Sequence, residues 1–167
     1  MNDETITGSM RATGTTGTTH VEAVFPTDAD DLWSAITEPA RLARWIAEVR
    51  GDLRIGGEVW QRYSSGWEGT SLIEVCDPPR LLRIRTIGER SDEGDALEVR
   101  LVPEATGTRL IVEDSGLSIA ALPFHTAGWQ AHLEDLGGYL DDGRPIRWRE
   151  RWSELSPLYQ RLPIDGA

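Results

Sequence analysis

The sequence is poor in cysteine, the residue that stabilises disulfide-bonded and many zinc-binding domains: only Cys76 is present among its 167 residues. A single cysteine excludes an internal disulfide and any zinc site built from several cysteines. No apolar run approaches the roughly 20 residues that span a bilayer. The N-terminal 20 residues lack both a basic start and an apolar core, so we expect no secretory signal and a cytoplasmic protein.

Lysine is absent, and the 17 basic residues, all of them arginines, are outnumbered by 28 acidic ones, for a net charge of −11. A strongly acidic domain repels phosphate backbones and anionic membrane surfaces. We therefore expect neither a nucleic-acid partner nor a membrane partner.

The sequence also lacks the motifs that bind phosphates or dinucleotides and those that carry an activated catalytic nucleophile. Cys76 has no basic neighbour in the sequence to activate it, which favours a structural thiol. His125 and His132 fall on one predicted helix about 10 Å apart along its axis, too far to share a metal ion. The sequence predicts no cofactor and no metal, and it assigns no catalytic residue.

Hydrophobic periodicity divides the chain into three parts. Residues 1–18 are rich in threonine and glycine and are predicted to be a disordered tail. Residues 19–143 begin with a strand and two short helices, followed by six strands of period 2. From about residue 118 to 142 the apolar residues have helical spacing, and this helix must cover the apolar face of an antiparallel sheet. Residues 144–167 form a C-terminal extension.

Short motifs accompany this order of elements in segments 32–39, 42–45, Gly56-Gly57, 74–82 and 107–110, with Gly128, Trp129 and Leu133 on the last helix. The order and these motifs together resemble the START-like (SRPBCC) superfamily. The branch it is most similar to contains the domains homologous to the activator of the heat-shock protein 90 ATPase. The resemblance implies an α+β helix-grip fold, in which a curved antiparallel sheet of six or seven strands wraps around a long C-terminal helix.

The resemblance also implies a cavity between sheet and helix that holds a small apolar or amphipathic molecule. Tryptophans suit such a lining because they combine a large apolar ring with one N–H donor, although each would also suit an ordinary core position. Thr86 stands where relatives often carry a large aromatic residue. The predicted ligand-binding residues are Trp45, Tyr63, Trp67, Ile84, Thr86, Leu101, Val112, Asp114, Phe124, Trp129, His132 and Leu133.

Two other functions stay open at this point, because a fold does not decide a function. Some relatives are polyketide cyclases or aromatases, and here His132, Asp114 or Tyr63 would carry the acid–base chemistry. Other relatives stimulate a chaperone ATPase, which would make this chain a protein-interaction module. A binding protein without catalysis is the first hypothesis.

The C-terminal extension contains two tryptophans, Trp148 and Trp152, which a free tail rarely exposes to solvent. The pattern around Ile146 and Trp148 alternates with arginines, as in an extended segment. We expect the extension to pack on its own domain, or on a second copy to form a homodimer, with its arginines against acidic surface.

Deletion of residues 144–167 should therefore lower the melting temperature or break a dimer. Circular dichroism melting and the mass in solution measure these two outcomes. A truncated protein with unchanged melting temperature and unchanged mass would contradict the hypothesis.

Overall fold

A computed structural model describes residues 5–88 and 95–167, which form one curved antiparallel sheet and four α-helices. The strands are β1 (Thr7–Thr13), β2 (Thr16–Phe25), β3 (Ala47–Gly51), β4 (Glu58–Tyr63), β5 (Glu68–Asp77), β6 (Leu81–Ile87), β7 (Ala96–Glu104) and β8 (Gly107–Ser118). The helices are α1 (Ala29–Thr37), α2 (Pro39–Trp45), α3 (Leu122–Asp142) and α4 (Trp148–Tyr159), with a 3-10 turn at Ile119–Ala121. The order across the sheet is β1-β2-β8-β7-β6-β5-β4-β3.

The α+β helix-grip fold is confirmed, but the sheet has eight strands and not six or seven. The prediction of a disordered tail is wrong for Thr7–Thr13, which pairs with β2 through a turn at Gly14. Threonine favours strands, and the alternation of the segment buries Met10 and Ala12. Residues 1–4 of that tail, and residues 89–94 of the predicted loop after β6, lie outside the described ranges.

The main core lies where α3 crosses the sheet. Leu133 and Leu136 of α3 pack with Val21, Leu110 and Val112, which point from the central strands towards the helix. The contacts of α3 with the sheet fall on β1, β2 and β8. The other half of the concave face, formed by β4 to β7, is therefore left largely uncovered by α3.

Trp148–Tyr159 of the C-terminal extension forms a helix, α4, so the extended alternation predicted around Ile146 and Trp148 is wrong from Trp148 onward. This helix packs on α3 of its own domain. Trp148 is buried, and its indole N–H donates to the carbonyl of Gly128 at 2.8 Å. A side chain at Gly128 would come within 3.3 Å of the Trp148 ring, so the glycine permits this close approach. Arg151 adds two hydrogen bonds to the carboxylate of Glu134, at 2.7 and 2.9 Å.

In the described part of the chain, every helix is too short or too polar to cross a membrane.

We expect Trp148→Ala to lower the free energy of unfolding by about 3–5 kcal/mol, because it opens a void and removes the indole hydrogen bond to the Gly128 carbonyl. Leu158→Ala, on the same helix but with the leucine 54% exposed, is the matched control and should cost less than about 0.5 kcal/mol. Urea unfolding followed by circular dichroism measures both, and similar losses for the two variants would contradict this prediction.

Candidate ligand-binding site

Two adjoining chambers lie between the sheet and α3. The first, the apolar chamber, has a volume of about 340 Å³. The second, the aromatic chamber, has a volume of about 290 Å³. Both are lined by Gln61, Tyr63, Ile84, Leu97 and Trp129, which mark the junction between them.

The apolar chamber is enclosed by α1, α2, α3 and the uncovered half of the sheet. Its few polar side chains are Thr37, Gln61, Tyr63 and Cys76, and aliphatic and indole groups form the rest of its wall. The indole N–H of Trp45 donates to the backbone carbonyl of Ala35 at 2.9 Å. This bond holds the ring against α1, so Trp45 presents only apolar surface to the chamber.

Six aromatic side chains line the aromatic chamber. Trp148 and Trp152 stack with ring centroids 5.5 Å apart and an angle of 15° between their planes. Tyr63 meets Trp67 edge to face at 5.3 Å. Such contacts hold the rings in place in the absence of ligand. The six are Tyr63, Trp67, Phe124, Trp129, Trp148 and Trp152.

Asp114, on β8, carries a carboxylate at the wall of the aromatic chamber. Its Oδ2 accepts a hydrogen bond from the indole N–H of Trp129 at 3.0 Å, and Nδ1 of His125 lies 3.7 Å away. Burial, and then the negative charge of Asp114, raise the pKa of the Tyr63 hydroxyl. Tyr63 therefore stays protonated near neutral pH and can donate a hydrogen bond into the cavity.

His132 lies on α3 with only 5% of its surface exposed. Its ring contacts those of Tyr63, Trp129 and Trp148, at centroid distances of 5.4 to 5.8 Å. Burial lowers its pKa to about 3, so the imidazole is neutral at pH 7. Its Nδ1 has no hydrogen-bond partner among the described residues. A base with so low a pKa accepts a proton poorly at pH 7, which counts against His132 as a general base.

The structure brings eleven of the twelve predicted residues to the cavity wall. Leu101 is the exception, because it pairs with Leu110 where α1 covers β7 and belongs to the packed core. The binding role of the other eleven stays a prediction. Trp45, Val112 and Leu133 line the apolar chamber, Trp67, Thr86, Asp114, Phe124 and His132 line the aromatic chamber, and Tyr63, Ile84 and Trp129 line both.

Trp148 and Trp152 were not predicted as lining residues, and neither was the buried pair Gln61 and Ser71. The two tryptophans are four residues apart, a spacing that places them on one face of a helix. This spacing is the feature of the sequence from which their shared position could have been predicted. Ser71 donates to the side-chain oxygen of Gln61 at 3.1 Å inside the sheet, a pairing that no local pattern indicates.

In the described ranges, no three His, Cys, Asp or Glu side chains come together in a way that could hold a metal ion.

A curved sheet that grips a long helix over a cavity defines the chain as a START-like, helix-grip protein. The chain belongs to the Activator of Hsp90 ATPase homolog 1-like protein family, whose model matches residues 26–141. None of the curated proteins compared with the chain matches it.

Solved structures share this fold over most of the chain. CalU16 from Micromonospora echinospora is 25% identical, with 95% of this chain and 97% of that chain covered and a TM-score of 0.75. A Bordetella parapertussis protein is 18% identical, with 93% and 90% covered and a TM-score of 0.71. DynU16, of the dynemicin biosynthetic locus, is 26% identical over 77% of this chain and 49% of that chain, with a TM-score of 0.65.

The lowered pKa of His132 makes stability depend on pH. The unfolded chain takes up this proton as the pH falls below about 6.5, whereas the folded chain takes it up only near 3. Between these values the unfolded state binds more protons, so stability falls with falling pH, by up to about 1.4 kcal/mol per pH unit.

His132→Phe keeps an aromatic ring and removes the titrating group. We expect its free energy of unfolding, measured in urea from pH 8 to pH 4.5, to fall less steeply below pH 6.5 than that of the parent protein. Above pH 7.5 the two curves should be parallel, which serves as the internal control. Equal slopes below pH 6.5 would contradict this prediction.

Proposed function

We propose that the protein binds a small amphipathic molecule, with its apolar body in the apolar chamber and its polar end in the aromatic chamber. One observation carries this proposal: a cavity of about 340 Å³ with a mostly apolar wall shares five lining residues with a neighbouring chamber whose walls are aromatic and polar. Ligand pockets of proteins have volumes of this size and this division of surface.

The hydrogen bonds of the tryptophans hold the indole rings at the walls, which favours an open cavity over one that the rings themselves fill. Trp45 and Trp129 are tied to Ala35 and Asp114 at the walls. In the aromatic chamber, the indole N–H groups of Trp148 and Trp152 donate to backbone carbonyls of α3, at 2.8 and 3.1 Å. These four donors are occupied by the protein, so the rings offer a ligand flat apolar surface.

Binding without catalysis fits the polar groups better than a cyclase or aromatase activity does. The hydroxyl of Tyr63 and the imidazole of His132 are both held neutral by burial. Neutral groups of this kind orient a ligand through hydrogen bonds, whereas acid–base catalysis is favoured by groups whose pKa lies near the working pH.

Ile84 lies at the junction of the two chambers, which makes it the position to test. We expect the parent protein to bind the neutral fluorescent probe N-phenyl-1-naphthylamine, and Ile84→Trp to lower its affinity about tenfold or more by filling the space, since small shape changes in a pocket cost about 1–3 kcal/mol. Fluorescence titration measures the dissociation constant.

The matched control is Arg85→Gln, because Arg85 is the next residue on β6, points to the opposite face and pairs there with Glu74. This variant should bind the probe as the parent does. Circular dichroism confirms that each variant is folded. The proposal fails if the parent protein does not bind the probe, or if folded Ile84→Trp binds it with unchanged affinity.

A further inference from the structure

The aromatic chamber has an unusual charge. The carboxylate of Asp114 lines it, and in the ranges that the structure describes no arginine does, although the chain has 17 arginines. The ionisable nitrogen groups that the described residues bring to its wall are those of His125 and His132. Because His132 is held neutral, the described part of the wall carries the negative charge of Asp114 without a fixed positive charge beside it.

The contacts of Asp114 indicate which kind of ligand this charge would attract. Its side chain is only 17% exposed, and its ion-pair contact is His125, 3.7 Å away and charged only when protonated. Its hydrogen bond comes from the neutral indole of Trp129. Carboxylates with so little exposure are ordinarily paired with a cation, because burying an unpaired charge is costly. No arginine of the described residues forms an ion pair with it.

The aromatic rings around Asp114 also favour a cation. The face of an aromatic ring is negative, and tryptophan attracts a cation more strongly than the other rings do. Four of the six rings in this wall are tryptophans. Aromatic cages of this composition are used to bind alkylammonium groups.

We propose that the aromatic chamber recognises the positively charged amine of an amphipathic ligand, with Asp114 as its counter-ion. This rests on the proposed function, because the apolar body of the same ligand occupies the apolar chamber. The ligand class is thereby narrowed to organic ammonium ions, and carboxylate lipids such as fatty acids are disfavoured by the charge of the wall.

Three probes with the same ten-carbon chain separate charge from hydrophobicity: decylammonium, decanol and decanoate, each used below its micellar concentration. Isothermal titration calorimetry at pH 7 measures the three dissociation constants with the full-length protein. We expect decylammonium to bind about tenfold more tightly than decanol, the size of a partly desolvated cation–π and ion-pair contribution, and decanoate to bind most weakly.

Asp114→Asn removes the charge and retains an oxygen that can accept from Trp129. It should reduce the affinity for decylammonium to that for decanol and leave decanol unchanged. Glu113→Gln is the control, because Glu113 is the neighbouring carboxylate on β8 and bonds to His20 on the opposite face. It should keep the preference for the amine.

The proposal is overturned if decanoate binds as tightly as decylammonium, or if folded Asp114→Asn keeps the preference. Equal binding of all three probes would overturn charge recognition and leave the proposed function standing. If the decyl probes do not bind while N-phenyl-1-naphthylamine does, the cation site alone fails. If no probe binds, the proposed function fails as well.

Discussion

The one-sided packing of α3 on the curved sheet is the constraint on which the rest of the structure depends. The helix buries Leu133 and Leu136 against residues of β2 and β8 in the main core. A straight helix cannot also fill the concave half formed by β4 to β7, where Val59, Ile73 and Ile84 point inward. The cavity is thus a consequence of how a curved sheet and a single helix meet, and it needs no separate structural device.

The second chamber depends on a segment outside the family match. Residues 26–141 match the family, whereas Trp148 and Trp152 belong to α4, which follows it. Close contact at Gly128 and the ion pair between Arg151 and Glu134 fix this helix on α3. The same contacts that stabilise α4 therefore place two indole rings in the cavity wall, so that stability and ligand recognition are coupled in this part of the chain.

Much of this arrangement could be predicted from the sequence, because it follows from local periodicity. Val112 and Asp114 alternate along β8, Trp129 and Leu133 have helical spacing on α3, and all four line the cavity. Strand β1 was missed because its pairing with β2 overcomes a composition that by itself suggests disorder. Local patterns did not indicate the surroundings of these groups, since the contacts of Asp114 with Trp129 and His125 and the low pKa of His132 depend on residues of other elements.

The charges on the outer face of the sheet and the charge in the cavity wall have different surroundings. On the outer face of the sheet the arginines are paired across strands, as in the contacts of Arg83 and Arg85 with Glu74 and of Arg109 with Glu22. Such exposed pairs contribute little to stability because water and salt screen them. A carboxylate inside an aromatic wall is screened much less, so its field on a ligand is stronger than that of any surface pair. The net charge of −11 describes the protein as a whole, but the carboxylate of Asp114, whose side chain is only 17% exposed, is a charge that a ligand in the aromatic chamber would meet.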